Sequence, residues 1–151
     1  SAVKHTLIHA NRTVGELGYD DQLRRLDSEE IPGFDFRYVR SVSRPTAVDA
    51  NDPTLCQGRA NNLFRCVLGL PTREQEVVDE AREAGREVTA AQQALDKSTR
   101  PRLGSGVDGD ALRARMPGDR TTVLTCGNSE GMEDIKRICG KARFKFEMEE
   151  W

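Results

Sequence analysis

Three polar turns, each closing a strand-like run, hold the residue types that could do chemistry in this chain: Asn11-Arg12-Thr13, Ser43-Arg44 and Cys126-Gly127-Asn128. In an open parallel sheet, ligands sit beyond the carboxyl ends of the strands. A turn that opens a helix presents free backbone N–H groups, which suit phosphate. Gly127 permits close backbone approach at such a turn. Arg44 and Arg59 are of the type that forks around a dianionic phosphate, where bidentate guanidinium bonds are strong. Metal chemistry is not indicated. Cys56, Cys66, Cys126 and Cys139 include no Cys-x-x-Cys pair, and His5 and His9 are the only imidazoles, so no zinc pattern is met. The cysteines read as reduced thiols of a cytoplasmic protein, and His9, at a strand end beside apolar residues, as a packed or capped side chain.

The elements that must position these turns follow from periodicity. Residues 6–10 are a short apolar run with β-branched members and predict a buried strand. Thr13 then offers an N-cap for a helix over 14–27, with Val14, Leu17, Leu23 and Leu26 on one face. Residues 34–42 alternate apolar and polar, the pattern of a second strand with one wetter face, which suits a sheet edge. Residues 46–57 read as loop, and Gly58 to Cys66 as a short helix turning Leu63 and Phe64 inward. At the other end, residues 121–125 form a compact strand, Met132, Ile135, Ile138 and Cys139 a helical face, and residues 144–151 a last alternating strand. Strands alternating with helices imply parallel β–α–β units.

The middle is different. Residues 72–98 are charged and Ala-rich, and Val77, Ala81, Ala84, Val88, Ala91 and Leu95 repeat in a coiled-coil-like stripe. Built of small residues, the stripe suits an antiparallel helix contact or a protruding hairpin. Pro101, Gly104, Gly106 and Gly109 make residues 99–109 read as flexible loop.

The bulk numbers bound the rest. A length of 151 residues suits one domain. Net charge is −2, with 32% charged and 36% apolar residues, and acids interleave with the arginines. That argues against nucleic-acid binding, which needs a basic excess or stripe. No run of about 18 apolar residues is present to span a membrane. The N-terminus carries no basic-then-apolar signal pattern and moves straight into a strand-like run, as a fragment or cut product would.

Taken in order, four blocks resemble the NADP-binding domain of ferredoxin–NADP reductases. Leu7 to Thr13, with Glu16, Leu17 and Tyr19, resembles the family's second strand and following helix. Phe36 to Arg44 resembles its third strand, and Gln57-Gly58-Arg59 with Leu63 the next helix start. Thr122 to Met132, a helix and a strand closing on Glu149-Glu150-Trp151 resemble its C-terminal end. The resemblance implies a parallel-sheet, Rossmann-like α/β domain, in two parts (1–66 and 121–151) around a helical and loop insertion (67–120). It implies that Ser43, Arg44 and Arg59 hold the adenosine 2′-phosphate of NADP, and that Arg12, Gly127, Asn128 and Met132 belong to the nucleotide site. Cys126 would lie near the reacting nicotinamide carbon, Glu149 would orient the carboxamide, and Trp151 would stack on the flavin of FAD. The choice of Glu149 over Glu150 rests on the resemblance alone.

The chain also departs from the family. The first nucleotide-binding strand with its Gly-Thr-Gly-type turn is not in it, which leaves Leu7 to Ala10 without a neighbour. The flavin-binding barrel is not in it either, Pro45 stands where an acid usually follows Ser-Arg, and the 67–120 stretch is longer than the family connection. The expectation is therefore part of a reductase moving electrons between NADP(H) and a ferredoxin- or flavodoxin-type carrier through FAD. A second chain, or an N-terminal part, would bring the FAD barrel and first strand, and the chain alone would be inactive. Two alternatives are a non-catalytic interaction module working through the 72–98 helix, and an oxygenase reductase of the same fold.

Overall fold

Alternation and β-branched side chains form the strands, and a glycine with positive φ follows two of the helices, at Gly69 and Gly85. The computed structural model describes residues 3–149. β1 (Lys4–Asn11), β2 (Asp35–Val42) and the short β3 (Leu55–Gln57) run parallel in the order β1-β2-β3. Their register puts Leu7 opposite Tyr38, Asn11 opposite Val42, and Val42 opposite Gln57. A second parallel ladder joins β4 (Thr122–Thr125) to β5 (Lys145–Met148). The chain is thus α/β, with every described strand pairing parallel, as the alternation of strands and helices requires.

α2 (Ala60–Val67) joins the two ladders into one core. Leu63 and Val67 pack on one side against Val39, Cys56 and Leu112, with Ile8 at the margin. Phe64 packs on the other side against Ile135, Ile138 and Cys139 of α6 (Ser129–Ala142), with Val123 and Phe146 from the second ladder. Leu63 and Ile138 have no exposure at all. Burying a side chain of this size stabilises the fold by about 1.5–3 kcal/mol. Ile8 touches both clusters, so β1 and β4 lie under one helical layer although no described ladder joins them.

Charge holds the helices to each other. The Arg65 guanidinium of α2, fully buried, donates to Asp134 of α6 at 2.6 and 2.8 Å and to Glu76 at 2.9 Å. Glu76 lies on α3 (Arg73–Glu83), so one guanidinium ties three helices. The Glu76 carboxylate also receives Arg73 and Lys141. The Arg65 guanidinium beside it, followed by Lys141 and Arg73, holds the Glu76 carboxyl down at about 2.

Several expectations are corrected. The helix over 14–27 is interrupted. A single 3-10 turn covers Val14–Glu16, and α1 (Asp20–Ser28) starts only after Tyr19 adopts a left-handed φ of 60°. Thr13 gives no side-chain cap; its hydroxyl instead donates to Glu16 at 2.9 Å. β2 is the centre of its sheet, not the edge. Its polar positions are neutralised beneath α1: Arg40 reaches Asp20 at 2.9 Å and Asp52 at 3.2 Å, and Tyr38 donates to Asp20 at 2.7 Å. A wet-looking alternation therefore marks a buried ion pair. The 46–57 loop contains β3. Leu7 to Ala10 do have a neighbour, β2, on one side.

The 72–98 stripe is not one helix. α3 ends in a Schellman turn at Gly85 (φ 68°), where Arg86 N–H donates to the Ala81 carbonyl at 2.8 Å, and α4 (Thr89–Lys97) turns back beside it. The pair is the hairpin the composition allowed. Residues 99–109 are not free loop. Gly104 is buried, and a Cβ there would stand 2.5 Å from the Pro53 carbonyl oxygen. Leu103 and Val107, with Leu112 of α5 (Gly109–Ala114), pack against the α2 core. Arg115 then donates to the His5 carbonyl at 3.0 Å and to Asp35 at 2.8 Å, fixing the starting ends of β1 and β2 just before the chain enters β4. No helix among the described residues is long and apolar enough to cross a membrane.

Candidate functional site

The carboxyl end of the three-stranded sheet gathers four of the sequence-selected residues. Beyond β1 and β2 the ladder continues: Ser43 N–H donates to the Asn11 carbonyl at 3.0 Å and Arg44 N–H to the Arg12 carbonyl at 2.9 Å. Gly58 N–H donates to the Val42 carbonyl at 2.9 Å, and the buried Ser41 hydroxyl donates to the Gly58 carbonyl at 2.8 Å. These bonds hold Arg12, Ser43, Arg44 and Arg59 on three adjacent loops at strand spacing, about 4.8 Å apart. Gly58 has φ 123° and a Cβ there would meet the Pro101 backbone at 3.1 Å, so only glycine serves at this crossing.

The electrostatics differ among the cations. Arg12 is paired with Glu16 at 3.2 Å. The Thr13 hydroxyl, with the charges of Arg12 and Arg44, holds the Glu16 carboxyl below its ordinary value. Arg44 and Arg59 are exposed, with no ion pair or side-chain hydrogen bond among the described residues. Arg59 is the N-cap residue of α2, and no side chain caps that helix. This edge therefore offers exposed guanidinium groups without ion pairs among the described residues and an uncapped helix start, the donor types that suit a phosphate dianion. The residues present fit the phosphate end of a nucleotide.

The second ladder gathers the rest. Cys126 is exposed at the end of β4, and Gly127 follows with φ 139°. Asn128 caps α6, its side chain accepting from Gly131 N–H at 2.8 Å, so part of the free N–H set expected at this turn is already satisfied from within. Glu149 N–H donates to the Thr125 carbonyl at 3.1 Å, which sets Glu149 beside Cys126 at neighbouring strand ends. Met132 is buried in the first turn of α6. Trp151 and Glu150 lie outside the described residues. The two groups, Arg12 to Arg59 and Cys126 to Glu149, sit on separate ladders. No residue set among those described brings three His, Cys, Asp or Glu together as metal ligands.

Other sequence candidates find structural partners. His9 Nδ1 lies 3.1 Å from the Tyr38 hydroxyl, which joins the Asp20–Arg40 pair. Burial, then the bond to Asp20, pushes the Tyr38 phenol up. Burial pushes the Cys139 thiol up to about 11 and raises Cys56. Surface depressions lie elsewhere, one lined by Asp21, Arg24, Arg25 and Ser28 and another by Glu29 to Arg37.

Sequence reasoning missed one neighbour of the site. Thr99 donates its hydroxyl to the Ser43 carbonyl at 2.9 Å, and Arg102 exchanges backbone bonds with Gln57 at 2.8 and 2.9 Å. The signal was Arg100-Pro101: a residue before proline is held extended, so this stretch was a strand candidate inside a glycine-rich run. Comparisons with family models, curated proteins and solved structures return no match to this chain.

Proposed function

We propose that this chain is the NADP(H)-binding portion of a flavin-dependent reductase exchanging electrons with a ferredoxin- or flavodoxin-type carrier. The observation that carries the reading is the convergence of Arg12, Ser43-Arg44 and Gly58-Arg59 on adjacent loops at the carboxyl end of a parallel sheet. Arg44 and Arg59 would bind the 2′-phosphate of NADP, with the Ser43 hydroxyl as a further donor. On the other ladder, Gly127 would let the backbone approach the nucleotide closely, and the buried Met132 would hold the turn that presents Asn128. Cys126 would bound the nicotinamide site, and Glu149 would orient the carboxamide by accepting from its amide. When bound, NADP and FAD supply the hydride and single-electron chemistry; this chain's residues bind, orient and hold geometry.

The partner would be a second chain or a further part of the same protein, bringing an FAD-binding barrel and a strand to run between β1 and β4. Three features support that lane. The ladders share the α2–α6 layer without pairing to each other. Leu7 of β1 and Leu124 of β4, 37% and 73% exposed, are left uncovered by the described residues. Neither of the two surface depressions described above is lined by residues of either loop group.

The test is retention on immobilised adenosine 2′,5′-bisphosphate, followed by reconstitution with the flavin-binding part and an assay of NADPH-dependent dye reduction. Binding that is lost in Arg44→Ala, and dye reduction that falls in Cys126→Ala, are expected. Equal indifference to the bisphosphate and to 5′-AMP would overturn the reading. It would favour the alternative, an interaction module working through the α3–α4 hairpin, whose second helix buries no residue.

A further inference from the structure

We infer that residues Thr99 to Arg102 form a fourth wall of the phosphate site, and that Arg100 and Arg102 help it prefer 2′-phosphorylated adenosine. The inference rests on the nucleotide reading above and extends it to a segment of the 67–120 stretch. The first ground is placement. Gln57 and Arg102 exchange both backbone hydrogen bonds, at 2.8 and 2.9 Å, and pair antiparallel. The Gln57 amide also donates to the Arg100 carbonyl at 3.0 Å. Since Asn11, Val42 and Gln57 are in register, Arg102 extends that row to a fourth position across the sheet. An antiparallel segment enters from the carboxyl end of its parallel neighbours, so Arg100 lies farther toward the loops than Arg102. Thr99 reaches the loops directly, donating to the Ser43 carbonyl at 2.9 Å. Arg100 is the next residue.

The second ground is direction. Pro101 lies against Gly58, with its Cα 3.1 Å from where a glycine Cβ would be. On extended backbone successive side chains alternate, so Arg100 and Arg102 share the face opposite Pro101. Leu103, next on the Pro101 side, packs into the α2 core. The arginines therefore project to the face that carries Gln57 and not into the core. The third ground is charge. Arg100 and Arg102 are exposed and, like Arg44 and Arg59, have no ion pair among the described residues. Four guanidinium groups around three loops repel one another when free, and a dianion among them relieves that repulsion. Arg12, the remaining arginine of the edge, is matched by Glu16.

The experiment is calorimetric titration of the full chain with adenosine 2′,5′-bisphosphate and with 5′-AMP, in wild type, Arg44→Ala and the double variant Arg100→Gln/Arg102→Gln. Both changes in the double variant are at exposed positions, and its melting temperature is recorded beside the wild type. The double variant is expected to bind the bisphosphate roughly tenfold more weakly, the loss of a charge-assisted contact, and to bind 5′-AMP unchanged. A double variant that keeps the wild-type preference while Arg44→Ala loses it would overturn the inference and leave the nucleotide reading standing. A wild type without preference would overturn both. An equal loss for both ligands would overturn the specificity role.

Discussion

Replacing Glu76 by Gln keeps the shape of the α2–α3–α6 junction and removes one of its charges. Arg65 is fully buried and the Glu76 side chain is 10% exposed, so water screens the pair little. The carboxyl sits at about 2 in the folded chain against an ordinary 4.5, chiefly because of the Arg65 guanidinium. At about 1.4 kcal/mol per pH unit, that difference stabilises the folded state by roughly 3 kcal/mol at neutral pH. The sign is that of a depressed acid. The contribution is complete above the unfolded value, near 4.5, and is lost as pH falls through the folded value. Urea unfolding of wild type and Glu76→Gln at pH 7 and pH 3 checks it. The expected gap is about 3 kcal/mol at pH 7 and less than half of that at pH 3. A gap that is unchanged between the two pH values, or below about 0.5 kcal/mol at pH 7, would refute an ionic origin for the junction's strength.

Three further outcomes follow from the packing. Gly104→Ala places a methyl 2.5 Å from the Pro53 carbonyl oxygen and 2.9 Å from that of Leu55. Since both are backbone atoms, stability should fall by about 1–3 kcal/mol in thermal melts, and an unchanged melting temperature contradicts the close approach. Asp20→Asn weakens the anchor of Arg40, whose side chain is 5% exposed, and should cost about 2 kcal/mol in denaturant. The exposed Asp119→Asn serves as its reference, and equal losses in the two variants would count against the buried pair. Iodoacetamide labelling read by mass spectrometry should modify Cys126 first in the native chain. Cys56 and Cys139, buried and with raised thiols, should label only on unfolding; early labelling of Cys139 would contradict the α2–α6 packing.

The sequence by itself determined the α/β class, the parallel pairing and most elements, because strand and helix periodicities are local. The alternation through Phe36, the Leu63–Phe64 face and the Ile135–Ile138–Cys139 face lie where periodicity puts them; the run around Leu7 is a strand as expected, but an edge strand with no buried residue in place of the buried one its apolar run predicts. Glycine marked the Gly85 turn only in retrospect, since the Val77-to-Leu95 stripe ran across it. The site was legible in part. The residue types of Ser43, Arg44, Arg59 and Cys126 were visible, but their grouping was not. Only the tertiary structure decided that Arg44 and Arg59 share one edge while Cys126 and Glu149 share another, because grouping depends on which strands pair. The same holds for β2. Its alternation looked solvated until Asp20, from a different element, neutralised Arg40. The Thr99–Arg102 segment read as loop because its hydrogen bonds go to Gln57 and Ser43, more than forty residues earlier in the chain. Local pattern reports which face of an element is apolar. It carries no record of a partner supplied from far along the chain, and the buried charges and the grouping of Arg44 with Arg59 depend on such partners.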